Sequence, residues 1–173
     1  MDAIAICSNT IHRVLDEPSI LKSLKAPVIH IGDCVAERIA QLGLKRVGFL
    51  GTKFTMQEEF MLAHLKKSGA EIYVPPEAQW DRINSIIFDE LCKGAIHAGS
   101  RDFLLAVISD MVERYHIQGV VLGCTELPLS ITKEYQLQYA FDHKQKYSEE
   151  FFFLDSEKIH LEALLKFCID GVL

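Results

Sequence analysis

The chain has 173 residues, 49% of them hydrophobic and 24% charged, which supports a packed core in one domain or two small lobes and excludes a disordered chain. A net charge of −6 without any basic run argues against nucleic acid and anionic membranes as partners, and no apolar stretch approaches the roughly 20 residues that cross a bilayer. Five cysteines, with no CxxC pair, fit free thiols in a reducing cytoplasm better than a disulfide framework or a zinc site, and no secretory signal opens at Met1.

Residues 4–7 are a short apolar run closed by Ser8-Asn9-Thr10, after which Ile11, Val14, Leu15, Leu21 and Leu24 follow at helical spacing. This predicts strand, polar turn and helix. Ser, Asn and Thr at a helix start offer hydroxyl and amide groups next to free backbone N–H groups, which suits a carboxylate, although helix capping alone explains one of the three. Residues 28–31 read as a second strand opened by Pro27, followed by a helix capped by Asp33 and ended by Gly43. The third strand, residues 46–50, runs into Gly51-Thr52-Lys53-Phe54-Thr55. Thr52 and Thr55 at a strand end and helix start form an anion-binding turn or a simple cap, and Gly51 permits close approach of the backbone.

A fourth strand at 71–74 stops at Pro75-Pro76, and helices are predicted near 81–93 and 101–115. The strand at 119–122 then ends in Gly123, which lets the chain turn so that Cys124 emerges with Thr125 and Glu126 beside it. In an open α/β sheet, ligands bind at the carboxyl ends of the strands. A hydroxyl and a carboxylate flanking the sulfur suit a catalytic thiol better than a gap-filling hydrophobe. Residues 132–150 are polar and lack a clear period, which reads as an excursion from the sheet. A last strand at 151–154 leads to a terminal helix capped by Asp155-Ser156. Strands alternating with helices over short connections predict an α/β fold with parallel sheets flanked by helices.

The pattern of strand, Cys, Thr and helix occurs near Cys7 and again at Cys124. CSNTIH and GCTELPL, together with VGFLGTKFTM, INSIIFDELCKG and LDSEKIH, resemble the cofactor-independent aspartate/glutamate racemases along nearly the whole chain. The resemblance implies two similar lobes around a cleft, without cofactor or metal, each lobe giving one residue that transfers a proton at the α-carbon of an amino acid. Residues 28–129 would form a complete second lobe, and residues 1–27 with 130–173 the remainder of an incomplete first. Cys124 is then one catalytic base, its pKa lowered by oriented donors. Asn9, Thr10, Thr52 and Thr125 would hold the substrate carboxylate and the enolate-like charge. Thr55 and Glu126 come second, Glu126 meeting the ammonium group or orienting a donor.

Three departures accompany the resemblance. Aligning Asn9-Thr10 and His12 with the family's Cys-Asn-Thr-x-His puts Ser8 in the first base position and leaves Cys7 one residue upstream, where strand alternation turns it into the core. Cys92 stands where aspartate-directed members often carry a lysine. Family members also have a strand and Gly-rich loop, then a further strand, before the first motif, so the chain is expected to lack the start of a full racemase and to show little turnover as written. The competing readings are a non-catalytic amino-acid-binding protein and a one-thiol isomerase or decarboxylase of the same fold. A cytoplasmic location is expected, and a homodimer is one allowed state.

Overall fold

The computed structural model of the protein describes residues 3–170. Among these residues, six strands pair in parallel into two sheets. The smaller sheet joins β1 (Ile4–Ala5) to β2 (Val28–Ile29). Between them run two short helices, α1 (His12–Leu15) and α2 (Pro18–Ser23). Pro18 divides them, because its ring fits the first turn of a new helix but cannot continue an old one.

The larger sheet contains β3 (Arg46–Leu50), β4 (Glu71–Tyr73), β5 (Gly119–Leu122) and β6 (Phe152–Asp155) in the order β4-β3-β5-β6. Val47, Phe49, Leu50, Val120, Val121 and Leu122 are completely buried. A central parallel strand is covered on both faces, so its sequence is apolar without alternation. Helix α3 (Ile31–Gln41) leads into β3, and its Ile31, Val35 and Ile39 recur one turn apart and are all buried. After β3 come α4 (Lys53–Gln57) and α5 (Glu59–Lys66), and after β4 comes α6 (Trp80–Ser85). The last continues as a π-helical stretch, Ile86–Glu90, and a 3-10 turn, Leu91–Lys93. Helix α7 (Ala98–Tyr115) returns the chain to β5, and the short α8 (Leu127–Ser130), α9 (Lys133–Tyr147) and α10 (Ser156–Asp170) complete the order.

Residues 28–29 pair with β1 in the smaller sheet, and residues 152–155 pair with β5 in the larger one. Residues 132–150 leave the sheet mostly as a regular helix, α9, although their sequence lacks a clear period. This helix docks through aromatic rings rather than an aliphatic stripe: Tyr139 lies 5.2 Å from Phe151 and 5.5 Å from Phe153, and His143 lies 5.0 Å from Phe151. Helix α3 is capped by His30, whose Nδ1 accepts from the Gly32 N–H at 3.1 Å, and not by Asp33. Asp33 instead accepts from His64 at 2.6 Å and Lys67 at 2.7 Å on α5 and the residue after it. Cys7 is exposed rather than packed in the core, because β1 ends at Ala5 and alternation does not extend to residue 7.

Candidate active site

Neighbouring strands β3 and β5 pair with Leu50 opposite Leu122, so their carboxyl ends deliver Gly51-Thr52 and Gly123-Cys124 side by side. The Gly123 N–H donates to the Leu50 carbonyl at 2.7 Å. Gly123 was expected to permit a turn, yet its φ is not in the left-handed region. Its missing side chain serves close approach: a Cβ there would lie 2.2 Å from the buried Phe49 ring. Gly51 has a similar role, since a Cβ would come within 2.6 Å of the Thr55 hydroxyl.

A cavity of about 150 Å³ opens at this junction, lined by Ser8, Asn9, Thr10, Thr52, Ile87, Phe88, Cys92, Gly123, Cys124, Thr125 and Glu126. The turn after β1 and the ends of β3 and β5 are thereby brought to one place. Thr55 does not line the cavity. It is fully buried behind Thr52, donating its hydroxyl to the Thr52 carbonyl at 2.9 Å and its N–H to Thr52 Oγ1 at 3.3 Å. These hydrogen bonds make Thr55 a support for Thr52. The π-helical stretch supplies Ile87 and Phe88, and the following turn Cys92.

Cys124 is 8% exposed, and its thiol donates to Glu126 Oε2 at 2.9 Å. Thr125 donates its hydroxyl to the same oxygen at 2.7 Å, which commits that hydroxyl to Glu126 rather than to a carboxylate ligand. Burial first, and the neighbouring carboxylate second, push the Cys124 pKa well above the ordinary thiol value, contrary to the lowered value expected from sequence. Burial pushes Glu126 upward, but the thiol and hydroxyl donating to it prevail and hold it below its ordinary value. The resting pair is a protonated thiol on an ionised carboxylate. Cys92 is also raised, by burial and then by Glu126.

Ser8 is half-buried, and its carbonyl accepts from His12 Nδ1 at 2.7 Å. His12 Nε2 accepts from the Ile31 N–H at 3.2 Å, so the ring is the Nδ1–H tautomer, and burial lowers its pKa. This histidine ties the turn bearing Ser8 to the start of α3. Asn9 is buried and donates from Nδ2 to Ser156 Oγ at 3.1 Å. Sequence reasoning missed the positioning roles of His12 and Ser156. Ser156 was legible only as a helix cap, because its partner is 147 residues away.

One cluster outside the cavity has metal-ligand chemistry: Asp16, His30 and His64 bring ligand atoms within 4.8 Å of one another. The donor set does not fit an ion well. His30 Nδ1 accepts from Gly32, so Nε2 carries the proton and offers no lone pair. His64 lies between Asp16, at 3.0 Å, and Asp33, at 2.6 Å, which raises its pKa, so hydrogen bonding accounts for the cluster.

The profile of the Asp/Glu/Hydantoin racemase family matches residues 1–161. A glutamate racemase from Haemophilus ducreyi is 25% identical over 139 residues, which are 79% of this chain and 50% of that protein. The chain thus spans half the length of that curated relative. A candidate Asp/Glu racemase from Yersinia pestis superimposes with a TM-score of 0.81 at 31% identity, over 97% of this chain and 66% of its own. For an aspartate racemase homologue from Pyrococcus horikoshii OT3 the TM-score is 0.79 at 32% identity, over 97% and 67%. The family profile spans most of the sequence, and the chain belongs to the Asp/Glu/hydantoin racemase family.

Proposed function

We propose that the protein exchanges the α-proton of a small amino acid without a cofactor, at the cavity shared by Ser8 and Cys124. The observation that carries this reading is the convergence of a thiol, a hydroxyl in the first base position and the polar groups of Asn9, Thr10 and Thr52 on one cavity. Thr10 and Thr52 receive the substrate carboxylate and the charge that grows on it as the α-proton leaves. Glu126 orients the Cys124 thiol. In the resting site this thiol is a proton donor, and an ammonium group bound beside Glu126 offsets the carboxylate and brings the thiol toward the range where it also accepts a proton. Ser8 is the weaker partner, because an unassisted hydroxyl is a poor base near neutral pH. Exchange therefore differs between enantiomers.

The test is deuterium incorporation at the α-carbon of D- and L-aspartate, glutamate and alanine in heavy water. Cys124→Ala should abolish it, and Ser8→Cys should narrow the difference between enantiomers. Undiminished exchange in Cys124→Ala sinks the assignment. The protonated Cys124 thiol also favours a second reading, an amino-acid-binding protein without turnover. Binding without exchange would identify it.

A further inference from the structure

The cavity at the strand ends has walls of two kinds. The turn after β1 and the ends of β3 and β5 supply hydroxyl, amide and carboxylate groups, whereas residues 86–93 supply Ile87, Phe88 and Cys92, none of them charged. The latter segment widens into the π-helical stretch and then tightens into the 3-10 turn, and such changes of winding are frequent at functional sites. Ile87 is completely buried and backs this wall. Phe88 is 51% exposed and Cys92 is exposed as well, so these two present open surface at the cavity. An apolar group resting there removes its own surface and part of the Phe88 ring from water.

Charge narrows what this wall can receive. Among the described residues that line the cavity, the charged one is Glu126, which accepts from the Cys124 thiol and the Thr125 hydroxyl as an ionised carboxylate does. Cations on the same elements are turned to carboxylates elsewhere. Lys53, beside Thr52, meets Asp81 at 2.7 Å, and Lys93, beside Cys92, meets Asp89 at 3.2 Å. Arg82, one turn before the π-helical stretch, meets Glu90 at 3.2 Å. A ligand with a side-chain carboxylate would therefore bring a second negative charge beside Glu126, with no lysine, arginine or histidine among the lining residues to meet it. A charge taken out of water without a partner is costly. The volume of about 150 Å³ also lies below the few hundred Å³ that larger ligands occupy. Resting on the reading that the cavity receives an amino acid, we infer that Phe88 and Cys92 receive its side chain, so that the site takes α-amino acids with short uncharged side chains and discriminates against aspartate and glutamate. Cys92 is the specificity-determining position, since it lines the cavity from an exposed turn where another group fits without disturbing the core.

The experiment is a set of NMR titrations of the 173-residue wild type, Cys92→Lys and Cys92→Ser with three amino acids. L-aspartate and L-asparagine have the same shape and differ in side-chain charge, and L-2-aminobutyrate carries a methyl group in place of the side-chain carboxylate. The wild type should bind L-asparagine and L-2-aminobutyrate each about tenfold or more tightly than L-aspartate, because like charges are brought together in a partly enclosed site. Cys92→Lys supplies a cation and should bring the preference for L-asparagine over L-aspartate to about one or below, whereas the uncharged Cys92→Ser should keep it within about twofold of wild type. L-aspartate bound as tightly as the other two by the wild type overturns the uncharged class and leaves the amino-acid reading standing. L-asparagine bound as weakly as L-aspartate, beside tight L-2-aminobutyrate, overturns charge as the basis of selection. An unchanged preference in Cys92→Lys overturns the placement of the side chain at Cys92. Failure of all three to bind overturns the amino-acid reading itself, and is told apart from failure of the class, in which L-aspartate binds.

Discussion

At the scale of single residues, the environment of Cys124 is set by two immediate neighbours, Thr125 and Glu126, and by burial. The thiol and the Thr125 hydroxyl both donate to Glu126 Oε2, so removing that carboxylate changes the thiol's ionisation more than its position. In Glu126→Gln, Cys124 should become more acidic, because a negative charge that opposed the thiolate is gone. Alkylation by iodoacetamide near pH 8 should then rise on the order of threefold to tenfold at this site. Mass-spectrometric mapping separates Cys124 from the exposed Cys7, Cys92 and Cys168. Slower alkylation of Cys124 in the variant would show that Glu126 acts on the thiol in another way. The Gly-Cys-Thr-Glu run made this group legible, because its members are contiguous and one strand end delivers them together. The close approach of Phe49 to Gly123 was not legible, since the two residues lie on different strands.

At the scale of elements, the junction of α1, α3 and α5 is held by charge. Asp16 follows α1, Asp33 lies on α3 and His64 on α5, with Lys67 also reaching Asp33. His30 stacks on His64 at 3.7 Å, and His12 packs edge-on against His30 at 4.4 Å. Burial first, and then the neighbouring imidazoles, bring His30 down to about 3, so it stays neutral while His64 carries the charge. Because the hydrogen bonds from Asp33 and Asp16 raise His64, the native state binds its proton more tightly than the unfolded chain does. The stabilisation is then fully present below the unfolded value of 6.5 and is lost as pH rises through the raised native value. The stability difference between wild type and His64→Gln should accordingly be largest near pH 6 and shrink toward pH 9, as measured by urea unfolding. A difference that grows with pH would contradict the charge assignment. Taking the difference between the two proteins cancels the opposite dependence of His12 and His30, whose values are lowered, to the extent that their environment is retained.

At the scale of the whole molecule, the cavity exists because a turn from the small sheet is pinned against the strand ends of the large one. Asn9 makes that contact through Ser156 at the end of β6, while His12 ties the same turn to the start of α3 by joining the Ser8 carbonyl to the Ile31 N–H. Replacing the fully buried His12 by alanine leaves two polar backbone groups without partners and a void, a loss of about 2–4 kcal/mol. The damage should be local. Amides of residues 8–12 should lose hydrogen-exchange protection, whereas those of β3 and β5, inside the four-stranded sheet, should keep theirs. A uniform loss of protection would mean that the two sheets form one cooperative unit.

The chain by itself determined the parallel α/β class, the runs that became β3 and β5, the periodic face of α3, and the short segments at residues 8–10 and 123–126 that reach the cavity. These are local signals: an apolar run, a repeat of one helical turn or a cluster of adjacent polar residues carries its meaning within a few positions. Helix α9 escaped because it packs through Tyr139 and His143 against rings that follow it in the chain, without the aliphatic period by which a buried face is recognised. The cap of α3, the exposure of Cys7, the withdrawal of Thr55 behind Thr52, and the sheets to which residues 28–29 and 152–155 belong were decided only in three dimensions. Each depends on which distant backbone or side chain arrives beside the residue. The same holds for the protonated state of Cys124, since burial depends on the whole fold, and for the contact of Asn9 with Ser156, a hydroxyl 147 residues away.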